Sequence, residues 1–110
     1  LNNTRVNEIR YEYWKDILYK YERPLEIVEN GVIKTIYPDF TILNVHTGKI
    51  TYLEHAGCMD NPIYANDFVK KKNNYMLNNI VLGIDLITTC ETREYSLDIR
   101  VVRKIIEGIL

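Results

Sequence analysis

A chain of 110 residues, 46% apolar and 26% charged, is the size of one ordinary globular domain and too short for two. A net charge of -1 offers no global attraction to a polyanion, so any basic surface must be local. No run approaches the ~18 consecutive apolar residues of a membrane span, and "LNNTRVNEIRYE" lacks the basic-then-apolar order of a secretory signal. A cytoplasmic protein with no membrane partner is expected, with residues 1–110 forming one domain, alone or as a piece of a longer protein. Cys58 and Cys90 lie far apart, with no CxxC pair and no His at the spacing of a zinc-ligand motif, which argues against a disulfide framework or a structural zinc site.

Taken in chain order, Val6, Ile9, Tyr13 and Ile17 recur at helical spacing and predict a first amphipathic helix from about Val6 to Leu18. "YKYERPLEIVENGVIKTIYPDFTIL" predicts two strands separated by "ENG", with Asn30-Gly31 a two-residue hairpin signal. Pro24 and Pro38 suit edge or strand-end positions, where a missing donor is tolerated. A third strand, about Lys49 to His55, follows the turn residues "NVHTG".

"MDNPIYANDFVKKKNNYMLNN" opens like a helix, with Asp60 or Asn61 as N-cap and Pro62 in the first turn. Tyr64, Phe68 and Tyr75 share one of its faces. "IVLGIDLITTC" is apolar with almost no alternation, the pattern of a central strand covered on both faces. Ile99, Val102, Ile105, Ile106 and Ile109 mark a closing helix, with Ser96 as its expected N-cap. The order helix, three strands, helix, strand, helix predicts an α/β sandwich on a mixed sheet.

Two acids interrupt these strands. In an antiparallel hairpin, opposed residues have a constant index sum, and for a turn centred between His46 and Thr47 that sum is 93. Asp39 and Glu54 also add to 93, so with that turn centre they are a cross-strand pair pointing to one face, with β-carbons roughly 5 Å apart, although "NVHTG" allows other loops. A slip of one residue would send neighbours to opposite faces. Two acids this close repel, and a divalent cation removes the conflict: hard carboxylate oxygens plus water are what Mg²⁺ accepts. The alternative on spacing alone is an ordinary pair of strand-end acids facing water.

The stretches "YERPLEI" (21–27), "YPDFTIL" (37–43), "YLEHAGCMDNPIY" (52–64), "KKNNYMLNNI" (71–80) and "LITTCET" (86–92) together resemble the PD-(D/E)XK nuclease superfamily. More narrowly, they resemble small bacterial nuclease-like domains that occur alone or attached to helicase-like proteins. The resemblance covers about residues 20–110 and implies the restriction-endonuclease-like αβββαβ core, a central mixed sheet flanked by helices, with a closing C-terminal helix. It implies a Mg²⁺- or Mn²⁺-dependent nuclease acting on nucleic acid, with DNA favoured, either as a homodimer or with a fused or associated helicase-like partner.

The resemblance also assigns roles. Asp39 and Glu54 become metal ligands, and His55 contributes its backbone carbonyl to the metal shell. The His55 ring either touches the scissile phosphate or packs at the strand end. The motif lysine should stand at position 56, where this chain has Ala56. A lysine from the next helix is the replacement to look for. Steps of 100° place Lys71 about 60° to one side of Phe68 and Lys72 about 40° to the other, with Lys70 pointing away. Lys71 matches the lysine of the signature and is the expected catalytic cation, with Lys72 and Tyr75 beside it as substrate contacts. Glu8 or Glu12 on the first helix is expected as a supporting acid behind the metal site, and Glu22 is either another such acid or a partner for Arg23 or Lys20. Asn73, Asn74 and the lysines suit sequence-independent contacts to phosphate. The departure at position 56 leaves an alternative: a catalytically inactive nucleic-acid-binding or assembly module of the same fold.

Overall fold

The computed structural model describes residues 17–21 and 23–109. These form an α+β fold with a mixed sheet and two helices. The elements are β1 (Ile17–Tyr21), β2 (Leu25–Glu29), β3 (Val32–Ile36), β4 (Phe40–Asn44), β5 (Ile50–Ala56), α1 (Pro62–Leu77), β6 (Leu86–Cys90) and α2 (Ile99–Ile109). One four-stranded sheet runs β1-β4-β5-β6, and β2-β3 forms a separate two-stranded sheet. β1, β4 and β5 pair antiparallel, while β6 joins β5 in parallel after the chain has crossed over through α1.

The stretch read as two strands is four. Pro24 and Pro38 stand just outside strands and break the apolar pattern where their missing N–H groups would have interrupted a ladder. Ile17 and Leu18, expected at the end of a helix, lie in β1, where β-branched and aromatic neighbours pair with β4. The rest of the expected first helix lies outside the described residues. Between β2 and β3 the Asn30-Gly31 turn has both residues at positive φ, 51° and 78°, the geometry that matches strand twist in a two-residue hairpin. The side chain of Asn78, just past the end of α1, donates to the Val28 carbonyl at 2.9 Å and accepts from the Val28 N–H at 2.7 Å. One amide thus ties the hairpin to α1 as a neighbouring strand would.

α1 starts as expected. Asn61 accepts from the N–H groups of Ile63 and Tyr64, with Pro62 at the first helical position, so both orphan donors and the missing donor are accommodated. At α2 the cap is Asp98 rather than Ser96: its Oδ1 accepts from the Arg100 N–H at 2.9 Å. A second correction concerns β6. Val81 to Asp85 form a turn in which Asp85 N–H donates to the Val81 carbonyl and Asp85 Oδ2 accepts from Val81 N–H, so the strand starts only at Leu86. It is the outermost strand of the described sheet, not a central one.

The two faces of the sheet have different jobs. Phe40, Ile42 and Leu53 are buried against Leu97, Val102 and Ile106, with Ile87 and Ile99 packed around them; α2 therefore seals one face. Successive strand residues point to opposite faces, so Glu54, next to Leu53, faces α1. The observed partners Phe40↔Leu53, Thr41↔Tyr52, Ile42↔Thr51 and Leu43↔Ile50 all have the index sum of 93 expected from the turn.

Asn44 holds that register. It is 2% exposed, and its Oδ1 accepts from the N–H groups of His46 at 2.9 Å and Thr47 at 3.2 Å. Its carbonyl accepts from Gly48 N–H at 2.8 Å, which closes the turn. Asn44→Ala should therefore destabilise the protein by about 1–2 kcal/mol in urea denaturation; an unchanged midpoint and slope would show that the turn is held elsewhere.

Candidate functional site

The register that sets Phe40 opposite Leu53 leaves Asp39 just before β4 and Glu54 one residue beyond Leu53, and the two acids line one cavity. Asp39 precedes β4 on a bend, and its Oδ2 accepts the His55 N–H at 2.7 Å. Both acids are buried, Asp39 at 9% exposure and Glu54 at 3%. They line a cavity of about 300 Å³ together with His55, Tyr64, Asp67, Phe68 and Lys71.

α1 forms the opposite wall. Tyr64, Phe68, Lys71 and Tyr75 follow one another at three- and four-residue intervals, and so share the face turned to β5. The helix is pinned at both ends of this stripe. Gly57 N–H donates to the Tyr64 hydroxyl at 3.1 Å. The Tyr75 hydroxyl, on a fully buried side chain, donates to Glu54 Oε1 at 2.7 Å. The rings of Tyr52 and Tyr75 lie 6.4 Å apart, tilted by 32°.

Of the three consecutive lysines, Lys71 reaches the acids: its Nζ donates to Glu54 Oε2 at 3.0 Å. Lys72 instead places its ammonium over the Phe68 ring, 5.4 Å from the centroid, a cation–π contact.

The electrostatics of Glu54 follow from this setting. Burial raises its carboxyl first, and the neighbouring Asp39 raises it further. The Lys71 charge and the hydrogen bonds from Tyr75 and Lys71 act the other way, leaving it pushed up to about 7. Burial, reinforced by the Glu54 charge, drives the Tyr75 hydroxyl well above the usual tyrosine range; Tyr75 therefore remains a proton donor to Glu54 at any ordinary pH.

Both ring nitrogens of His55 are engaged, Nδ1 with Thr89 Oγ1 at 2.7 Å and Nε2 with Glu91 Oε1 at 2.9 Å. What the ring could offer a phosphate is already committed to those partners. Glu22, Glu8 and Glu12 lie outside the described residues. Asp67, which lines the cavity, was not singled out in the sequence, although its place three residues after Tyr64 and four before Lys71 puts it on the same helix face. Thr89 and Glu91 were missed as well, because nothing in "LITTCET" marks them as partners of a histidine 34 and 36 residues upstream.

Among the described residues, no three His, Cys, Asp or Glu side chains are clustered to hold a metal ion. Of the acids that could hold an ion, the cleft presents the two carboxylates of Asp39 and Glu54 with Asp67 on its wall, and two carboxylates with water are a set that Mg²⁺ accepts. No helix among the described residues is long and apolar enough to cross a membrane. No protein-family model matches the chain, and a search of curated proteins finds no match.

The raised Glu54 carboxyl predicts a pH dependence of stability in metal-free solution. The folded state holds a proton that the unfolded chain releases near pH 4.5, so the stabilisation from that proton is full below 4.5 and is lost as pH rises through about 7. Between pH 5 and pH 8, wild type should lose about 2–3 kcal/mol more than Glu54→Gln, which cannot ionise. Denaturation curves of the two proteins that run parallel across this range would contradict the assignment.

Proposed function

We propose that the cleft between β5 and α1 is the site of a divalent-cation-dependent phosphodiesterase, and that the chain is a nuclease of the restriction-endonuclease-like kind acting on nucleic acid, with DNA the favoured substrate. The observation that carries this reading is the buried pair Asp39 and Glu54, set across one hairpin, with the Lys71 ammonium on Glu54. Spacing also allowed strand-end acids facing water, but the burial of both carboxylates favours the site.

The donor set fits Mg²⁺ or Mn²⁺. It offers hard oxygens, and one of them belongs to a carboxyl so crowded by its neighbour that a positive charge would relieve it. Asp39 and Glu54 would hold the ion, joined by the His55 carbonyl that the resemblance implies. Bound there, the ion would supply an acidified water and positive charge for the phosphate oxygens.

The remaining work falls to side chains already in place. Tyr75 fixes one oxygen of Glu54 and Lys71 the other, so the carboxylate is preorganised before substrate arrives. Lys71 keeps 37% of its side chain exposed, which leaves its ammonium open to an incoming phosphate oxygen. It approaches from α1 the carboxylate that a lysine at position 56 would have flanked, and Ala56 is fully buried. The β1-β4-β5 meander followed by α1 and the parallel β6 supports the αβββαβ core, with β2-β3 as an insertion after its first strand.

A second reading, a nucleic-acid-binding or assembly module without catalysis, draws on the same ion pair. Lys71 already neutralises Glu54, and such a module needs no cation.

The assay that separates them incubates the protein with single- and double-stranded DNA and RNA, in Mg²⁺ or Mn²⁺ and in chelator. Cleavage should require the metal and fall by about 10²-fold or more in Asp39→Ala, Glu54→Ala and Lys71→Ala. Cleavage that survives in Asp39→Ala and Glu54→Ala would place the activity elsewhere. Chelator-insensitive binding without cleavage of any substrate would favour the module.

A further inference from the structure

We propose that Thr89 and Glu91 are positioning residues for Asp39, acting through His55 from the far side of the sheet; the proposal rests on the reading of the cleft as a cation site. Asp39 precedes β4 on a bend, so the strand ladder does not orient its carboxylate. The contact that does is the His55 N–H, which donates to Asp39 Oδ2 at 2.7 Å. Whatever fixes the backbone at His55 therefore fixes this ligand.

The ring of His55, 2% exposed, points to the opposite face from Glu54. A carboxylate can only accept, so Nε2 carries its hydrogen toward Glu91 Oε1 at 2.9 Å, and the Thr89 hydroxyl takes up Nδ1 at 2.7 Å. Glu91 is itself anchored, its Oε2 accepting from Leu97 N–H at 2.8 Å. Its main chain grips the same segment: Glu91 N–H donates to the Ala56 carbonyl at 2.9 Å, and its own carbonyl accepts from Met59 N–H at 3.2 Å. The strand end from His55 to Met59 is thus clamped by one residue through side chain and backbone together.

A purely structural role would be filled more cheaply. Next to Leu53 and the apolar cluster under α2, an apolar side chain of similar volume would avoid burying a ring with two polar nitrogens. The polar chain Leu97–Glu91–His55–Asp39 instead fixes a ring orientation and, through the peptide, the angle of a carboxylate. Partners that hold metal ligands in this way change metal affinity by about 10–100-fold when removed.

The test measures Mn²⁺ affinity by titration calorimetry on the full chain at constant pH. It compares wild type with Thr89→Val, Thr89→Ser and Glu91→Gln, uses Asp39→Ala as the reference for a lost ligand, and checks the fold of each by circular dichroism. Thr89→Val, which removes the hydroxyl, and Glu91→Gln, which offers one acceptor oxygen to two donors, should weaken binding by about tenfold or more, while Thr89→Ser retains it. Folded Thr89→Val and Glu91→Gln that bind Mn²⁺ like wild type, even with a lower melting temperature, would overturn the positioning role alone. Absence of Mn²⁺ binding in wild type would overturn both this role and the cation site. Should the variants fail to fold, a Mg²⁺ titration of wild type followed by NMR decides. The His55 ring nitrogens should shift with the same midpoint as the Asp39 carboxyl, and stationary ring signals would overturn the proposal.

Discussion

Asp39 and Glu54 are neighbours because β4 and β5 pair in one register, and a slip of a single residue would destroy both the core and the cleft. The same register that puts Phe40 and Leu53 under α2 turns Glu54 toward α1, where Asp39, just before β4, is held by the His55 N–H. Apolar burial on one face therefore enforces acid pairing on the other. The price is electrostatic: two carboxylates are held in a buried, low-dielectric setting, where one of them retains its proton up to about pH 7. A fold that only needed stability would fill this position with an apolar pair, and sites that run against local stability are where function concentrates.

α1 offsets part of that cost and shapes what remains. Tyr75 and Lys71 occupy the two oxygens of Glu54 from one helix face, and Tyr64 anchors the helix start to Gly57. The acid pair is thus preorganised from three directions: across the hairpin, from the helix, and through the His55 peptide. The ammonium beside Glu54 comes from Lys71 on α1, so the rotation of α1 about its axis sets the electrostatics of the cleft as much as the strands do.

Much of this was legible in the residues. "NVHTG" allows more than one loop, and Asn44 chooses among them with its side chain, so the index sum of 93 depends on taking that turn centre. Lys71 and Lys72 could be assigned to opposite sides of Phe68 because helix phase is rigid over one turn. What could not be read were features decided at a distance. "IVLGIDLITTC" is uniformly apolar, so periodicity could not reveal that its first half is a turn closed by Asp85 or that the strand lies at the edge of the described sheet. In the run from Tyr19 to Leu43 the segments on either side of "ENG" each carry mostly strand-like residues, and only Pro24 and Pro38 mark their further divisions. Asp98 took the cap from Ser96 because only the former's oxygen meets the Arg100 N–H. The partners of the His55 ring come from β6 and the loop beyond it, a pairing that only the parallel register of β5 with β6 creates.

The central claim is that the paired acids hold a divalent cation, and the direct measurement is anomalous X-ray scattering from crystals of the protein soaked in Mn²⁺. The account predicts one strong anomalous peak between the Asp39 and Glu54 carboxylates, within about 2–2.5 Å of an oxygen of each. A peak bound elsewhere, or none at this position with Lys71 still seated on Glu54, would contradict it.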